Sequence, residues 1–111
     1  MLHDQIAYLN DIRDSCSRII EYAKDQTFES FITDRMRFDA VVRNIQIIGE
    51  AAKKLSDEER SKYPDIPWRD IIDMRNIVTH DYANIDPREV WAVAVEDVPQ
   101  LLEQLETGLK K

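Results

Sequence analysis

The segment from residue 34 to residue 55, DRMRFDAVVRNIQIIGEAAKKL, decides the fold because its apolar residues fall on two faces of one long helix. One stripe follows three- and four-residue steps: Phe38, Val41, Ile45, Ile48, Ala52 and Leu55. A second strip points elsewhere: Ala40, Ile47 and Ala51. Such a helix usually contacts two neighbours or a second subunit. We therefore expect it to pack on more than one side.

A first helix is predicted over residues 2–24. Its apolar stripe is interrupted by Arg13 and contains Leu2, Ile6, Leu9, Cys16, Ile19 and Ala23. The aromatic segment 27–33 is expected to pack over one end of the bundle. Ser56-Asp57-Glu58-Glu59 is a capping-box pattern, and it predicts a short helix that Tyr63-Pro64 ends.

Two further helices complete the prediction. Pro67 is tolerated in the first turn of a helix that leads toward residue 80. Asp86-Pro87 begins a last helix that reaches about Thr107, with a kink at Pro99 and Gly108 as its stop. The predicted fold is all-α: an up-and-down bundle of four principal helices with short extra helices.

Length and composition limit the possibilities further. Residues 1–111 are expected to form a single domain, and the lone Cys16 is assigned to the core. The absence of a signal sequence and of a long apolar run predicts a cytoplasmic protein without a membrane association. The formal net charge of −7 argues against non-specific coating of nucleic acid, but it permits a local RNA cleft or a basic protein partner.

Reactive chemistry is concentrated in the octet RNIVTHDY, residues 75–82. An imidazole transfers protons near neutral pH and a guanidinium grips phosphate, so Arg75 and His80 suit phosphodiester chemistry without a metal. Positions five apart on a helix are about 140° out of phase, whereas Asn76 and His80 share a face. Either the helix loosens near His80, or the two residues meet through a second copy of the chain.

A purely structural interpretation remains open from spacing alone. In it, Arg75 pairs with Asp70 or Asp73, His80 caps its helix, and Tyr82 packs on the bundle. His3 is assigned no function. The sequence contains no metal-binding spacing and no phosphate-binding glycine loop, so neither a metal nor a cofactor is expected.

The arrangement Arg75-x4-His80-x-Tyr82 resembles the R-x4-H-x-Y motif of the HEPN superfamily, and in particular its HepT branch. Other segments agree in order and spacing: Ile47 to Ala52, Ile66-Pro67-Trp68, Val90-Trp91 and Val98-Pro99. The resemblance therefore covers most of the chain.

The resemblance implies an α-helical homodimer that acts as a metal-independent endoribonuclease. It also implies a toxin–antitoxin pair, in which an MntA-like nucleotidyltransferase antitoxin neutralises the toxin by attaching AMP to Tyr82. Arg75 and His80 would be catalytic, and Asn76 and Glu50 match supporting positions of the active site. A non-catalytic HEPN-type module that partners a nucleotidyltransferase is the alternative.

The residues also suggest a mechanism for RNA cleavage by its own 2′-hydroxyl. His80 would take the hydroxyl proton, Arg75 would stabilise the phosphorane, and Asn76 would orient the phosphate or His80. One chain offers only one suitable histidine, whereas the reaction works best with both an acid and a base. A two-fold dimer would supply both, and it is part of the catalytic hypothesis.

Overall fold

The computed structural model describes residues 2–109, except for the side chain of Leu2, and within that range the chain is all-α with no strand. Its helices are α1 (Leu2–Ala23), α2 (Phe28–Thr33), α3 (Arg35–Lys54), α4 (Asp57–Ser61), α5 (Trp68–His80), α6 (Pro87–Ala92) and α7 (Val98–Leu109). A 3₁₀ turn (Tyr82–Asn84) follows α5, and a π-helical turn (Val93–Asp97) joins α6 to α7. The predicted helical bundle is confirmed.

Helix α3 packs against α1 on one side and against α5 on another, which explains its two apolar faces. The predicted main stripe from Phe38 to Leu55 is buried. Ala51 of the second strip is also buried, whereas Ala40 and Ile47 are half-buried. Both faces are therefore used within one chain.

The aromatic segment packs as expected at one end of α3. Phe31 of α2 is fully buried, and its ring lies 5.1 Å from the Trp91 ring and 5.6 Å from the Phe38 ring. This cluster joins α2 to α3 and α6. It thereby fixes the end of α3 at which Arg35 and Asp39 lie.

Side-chain caps set most helix starts. Thr27, Asp34, Ser56 and Asp86 each accept a hydrogen bond from a backbone N–H in the first turn of the following helix. Only one of the two hydrogen bonds of the capping box predicted at Ser56 is formed. The Glu59 N–H donates to Ser56 Oγ, but the Ser56 N–H donates to Gln5 Oε1 of α1.

The predicted stripe of α1 is wrong at one position and incomplete at another. Ile6 is 50% exposed, whereas Ile12 is fully buried beside the confirmed core residues Leu9, Cys16, Ile19 and Ala23. A 3.6-residue period carries the buried face from Leu9 through Ile12 to Cys16, and this same period turns Ile6 outward. The prediction for Leu2 concerns a side chain outside the described part of the structure.

The predicted helix stop at Gly108 is wrong. Helix α7 continues through it to Leu109, and a Cβ atom at position 108 would overlap the ring of the buried Tyr63. Glycine is needed there for close packing instead of for termination. Before Pro99, where a kink is predicted, the structure has the π-helical turn Val93–Asp97, and such turns are themselves a known cause of helix bending.

Candidate active site

The site begins where α3 and α5 cross most closely. Gly49 of α3 faces the side-chain stem of Arg75 on α5, and a Cβ atom at position 49 would overlap the Cβ atom of Arg75. Only glycine leaves room for the arginine to lie across α3 at this point. In the sequence, Gly49 is notable only as part of the segment from Ile47 to Ala52. Its role becomes visible in the packing of α3 against α5.

Asn76 and Glu50, two residues predicted to support the active site, contact the guanidinium of Arg75. Its Nη1 donates to Asn76 Oδ1 at 3.0 Å, and its Nη2 lies 4.0 Å from Glu50 Oε1. Glu50 also lies 3.7 Å from Arg43 Nη1, so one carboxylate faces two guanidiniums. The structural pairing of Arg75 with Asp70 or Asp73 is therefore not observed.

Arg75 keeps donor capacity that these contacts do not use. Its side chain is 21% exposed, and its buried Nε–H has no hydrogen-bond partner among the described residues. A buried donor without a partner is costly, and functional sites are where such groups are tolerated. The guanidinium is thus positioned by Glu50 and Asn76 but is not saturated.

His80 is the last residue of α5 and is exposed. The helix does not loosen before it, because the Asp81 N–H still donates to the Ile77 carbonyl oxygen at 2.9 Å. Helical phase therefore keeps Arg75 and His80 about 140° apart within one chain. The first of the two routes for bringing them together, a helix that loosens before His80, is therefore not observed. Across residues 2–109, the imidazole forms no hydrogen bond or ion pair.

Tyr82 lies in the turn after α5, against the first part of α3. Its hydroxyl donates a hydrogen bond to Asp39 Oδ1 and accepts one from Arg35 Nη2. The Arg35 guanidinium also lies 5.4 Å from the centre of the Tyr82 ring and 3.4 Å from Asp39 Oδ1. The hydrogen bond to Asp39, assisted by partial burial and by the negative charge of that carboxylate, raises the pKa of the Tyr82 phenol.

A polar stripe runs along α3, and of its members only Glu50 was expected from the sequence: Arg35, Asp39, Arg43, Gln46 and Glu50. Because α3 and α5 run antiparallel, Glu50 lies beside Arg75, Gln46 beside Thr79, and Asp39 beside Tyr82. The three- and four-residue spacing of these polar side chains is a helical signal that could have identified the stripe.

The antiparallel packing separates two parts of the site. Asp39 and Glu50 are eleven residues apart on α3, which corresponds to about 16 Å along the helix axis. The Tyr82 hydroxyl and the Arg75 guanidinium contact opposite ends of this interval. Within one chain, the modification site predicted at Tyr82 is therefore not adjacent to Arg75.

Two general properties accompany this geometry. In the part of the chain that the structure covers, no three His, Cys, Asp or Glu side chains are grouped as metal ligands. None of the helices within residues 2–109 is long and apolar enough to cross a membrane.

An all-α bundle with this arginine, histidine and tyrosine spacing defines the HEPN class of proteins. Residues 12–107 match the family described as ribonuclease HepT-like, and the chain belongs to that family. A Thermococcus cleftensis protein named "Probable ribonuclease HepT" is 37% identical over 94 residues, which cover 85% of this chain and 86% of that protein. A Methanocaldococcus jannaschii protein named "Putative RNase MJ1380" is 38% identical over 103 residues, covering 93% and 94% of the two chains. No solved structure matches significantly. Family membership supports ribonuclease activity.

Proposed function

We propose that this chain is the toxin of a HepT–MntA toxin–antitoxin pair and cleaves RNA as a metal-independent endoribonuclease. The observation that carries the proposal is the complete motif in a member of the HepT-like family, with His80 exposed and Arg75 held but not saturated. RNA would be bound in a local cleft, so the net charge of −7 is not an obstacle.

The cleft is proposed to form between two copies of the chain. Helix α5 is regular through His80, so one chain presents Arg75 and His80 on different faces. A two-fold dimer in which the ends of α5 face each other brings Arg75 of one protomer toward His80 of its partner. This arrangement also supplies two imidazoles to one reaction.

The two imidazoles divide the proton transfers. One His80 accepts the proton of the RNA 2′-hydroxyl as the 2′-oxygen bonds to phosphorus. The bond from phosphorus to the 5′-oxygen breaks, and the second His80 donates a proton to that oxygen. Arg75 donates hydrogen bonds to the phosphoryl oxygens as their negative charge increases, while Glu50 and Asn76 hold its guanidinium.

Control is proposed to act on Tyr82. An MntA-like nucleotidyltransferase attaches AMP to its hydroxyl, which lies on a side chain that is 40% exposed. The added group brings bulk and negative charge to the turn after His80, where it repels RNA phosphate and obstructs that end of the cleft. Tyr82 therefore controls the histidine end of the site.

The nuclease proposal is tested on a labelled RNA in the presence of EDTA, with wild type compared with His80→Ala and Arg75→Ala. We expect each substitution to lower cleavage by about 100-fold or more, since each removes a proton carrier or a charge stabiliser. His3→Ala, which replaces the other histidine, is the control and should cleave like wild type. Unchanged activity in both site variants would remove the octet from the chemistry. Loss of wild-type cleavage on adding EDTA would contradict the metal-independent mechanism.

One observation favours the alternative of a non-catalytic module that partners a nucleotidyltransferase. The Arg75 side chain is only 21% exposed, and its guanidinium already contacts Asn76 and Glu50, as a structural arginine does. Expression in cells separates the two functions. Growth inhibition that His80→Ala relieves supports the toxin, whereas absence of inhibition by the wild-type chain supports the binding module.

A further inference from the structure

The Tyr82 hydroxyl lies between two side chains of opposite charge. It donates to the carboxylate of Asp39 and accepts from the guanidinium of Arg35, both on α3. Asp39 is half exposed and Arg35 is more exposed, so all three groups can be reached from solvent. The other charged or titratable groups near the phenol along the chain are His80 and Asp81.

We propose that Arg35 and Asp39 make Tyr82 the acceptor for adenylyl transfer, with Asp39 as the proton acceptor and Arg35 as the holder of the transferred phosphate. This inference rests on the proposed modification of Tyr82. It adds to that proposal two residues of this chain, outside the R-x4-H-x-Y motif, that take part in the modification step itself.

The chemistry follows from the two contacts. The phenol oxygen of Tyr82 attacks the α-phosphorus of ATP held by the nucleotidyltransferase, and an oxygen–phosphorus bond forms. The bond from the α-phosphorus to the bridging oxygen breaks, and pyrophosphate leaves with its electron pair. The phenol proton passes to the carboxylate of Asp39, which already accepts it in a hydrogen bond.

A proton acceptor is needed because this phenol is a weak nucleophile. A tyrosine phenol with its ordinary pKa of about 10 is already protonated at neutral pH, and the hydrogen bond to Asp39 raises the pKa of Tyr82 further. An adjacent base activates such a nucleophile as the new bond forms. The same carboxylate therefore stabilises the neutral phenol at rest and accepts its proton during transfer.

Arg35 complements the product. Once the phenol oxygen is esterified, it cannot donate to Asp39, and a phosphate charge lies beside that carboxylate. The guanidinium of Arg35, already on the phenol oxygen and over the ring, can donate to the phosphate oxygens and offset this repulsion.

The other tyrosines lack this environment. Tyr63 is buried, with its ring against Trp68, and Tyr8 lies near the ammonium of Lys54 at 5.8 Å. In the described part of the chain, Tyr82 is the one tyrosine whose hydroxyl bonds both a carboxylate and a guanidinium. The environment therefore accounts for selection of this phenol among four.

The test measures AMP incorporation at Tyr82 with the full-length chain, a purified MntA-type nucleotidyltransferase, ATP and Mg²⁺. Asp39→Asn should lower kcat for transfer at pH 7 by about 100-fold with little change in the KM for the chain. This deficit should shrink at high pH, where the phenol ionises without help. Arg35→Gln should lower kcat at pH 7 by about tenfold. Because the Arg35 guanidinium lowers the pKa of Tyr82, this variant should also move the alkaline rise of the rate to higher pH.

Matched controls come from α1, where Asp14 and Arg18 are exposed and have the same four-residue separation. Asp14→Asn and Arg18→Gln should be modified at the wild-type rate.

A second readout tests the contact directly: Asp39→Asn should lower the pKa of Tyr82 in an ultraviolet titration, with Tyr82→Phe identifying its signal.

The outcomes separate the two proposals. No AMP on wild-type Tyr82 would overturn both the modification and the assigned roles. Modification of wild type and Asp39→Asn at equal rates and with equal pH profiles would overturn only the role of Asp39. A change confined to KM would assign Asp39 to docking of the transferase, which also contradicts proton transfer.

Discussion

Gly49 on α3 lies directly against the side-chain stem of Arg75 on α5, and no larger residue fits between them. The proposed catalytic arginine is therefore positioned by the absence of a side chain on the facing helix. Its guanidinium then reaches Asn76 and Glu50 at the edge of the same crossing. This relationship connects the packing of the bundle to the chemistry of the site.

Gly49→Ala is expected to separate α3 and α5 and displace Arg75. We expect a loss of about 1–3 kcal/mol in the free energy of unfolding, as for other overpacked sites, together with slower RNA cleavage. Gly108→Ala is the control, because it crowds α7 against Tyr63, a residue between α4 and α5, and leaves the contact of Gly49 with Arg75 unchanged. It should be destabilised similarly and retain the cleavage rate of its folded fraction. Equal loss of cleavage in both folded variants would contradict a specific role of Gly49.

Mixing wild type with His80→Ala tests the shared cleft. If one cleavage uses the His80 side chains of both protomers, a mixed dimer has only one of the two imidazoles and should be nearly inactive. Subunit exchange in an equimolar mixture should then lower total cleavage by about half, because half of the wild-type chains pass into mixed dimers. Cleavage that does not change on exchange would contradict a shared cleft.

Glu50→Gln should alter RNA binding through charge. The carboxylate lies 3.7 Å from Arg43 and 4.0 Å from Arg75, so its removal makes the cleft more positive. We expect RNA to bind up to about fivefold more tightly, because a change of this size corresponds to the free energy of a partly exposed ion pair. The gain in affinity should be smaller at high salt. Fluorescence anisotropy with a 2′-O-methyl RNA measures this without cleavage. Glu103→Gln on α7 is the control. Weaker RNA binding by Glu50→Gln would contradict the prediction and would show that the Glu50 carboxylate acts chiefly by positioning Arg75.

Cys16 should be unreactive in the folded protein. Burial raises the pKa of its thiol to about 12, so the thiolate is scarce at pH 8, and reaction with Ellman's reagent should proceed only as the chain unfolds. Rapid labelling of the native protein at pH 8 would contradict this burial.

The same thiol makes stability depend on alkaline pH. The pKa of the thiol in the folded protein lies above the reference value of 9.0. Its contribution to the free energy of unfolding is therefore complete below pH 9 and declines as the pH rises toward 12. The stability advantage of wild type over Cys16→Ala should therefore narrow between pH 8 and pH 10.5. Denaturant unfolding at the two pH values measures the difference. An advantage that stays constant would indicate a thiol pKa close to that of the unfolded chain.

The helices were predictable because apolar spacing and caps are local signals. The predicted bounds of α3 differ from the observed ones by one residue at each end, and the capping residues Ser56 and Asp86 lie where expected. Errors arose where tertiary packing decides. Ile6 faces outward because of the phase of α1, and Gly108 lies inside α7 because a ring packs against it.

The candidate site was predictable only in part for the same reason. Arg75, Asn76 and Glu50, which the sequence predicts as site residues, lie together in the structure. The contacts of Arg35 and Asp39 with Tyr82 span more than forty residues of sequence. They depend on the antiparallel register of α3 and α5, which no local pattern specifies.

That register has a consequence for how such a protein can change. Because Tyr82 meets α3 about 16 Å from the place where Arg75 meets it, substitutions near Asp39 can alter recognition by the proposed modifying enzyme without touching Arg75. Substitutions near Glu50 can likewise alter the proposed binding of RNA and leave Tyr82 unchanged. The proposed toxin and antitoxin can then diverge together at the Tyr82 end of the α3–α5 pair while the Arg75 end is kept for RNA cleavage.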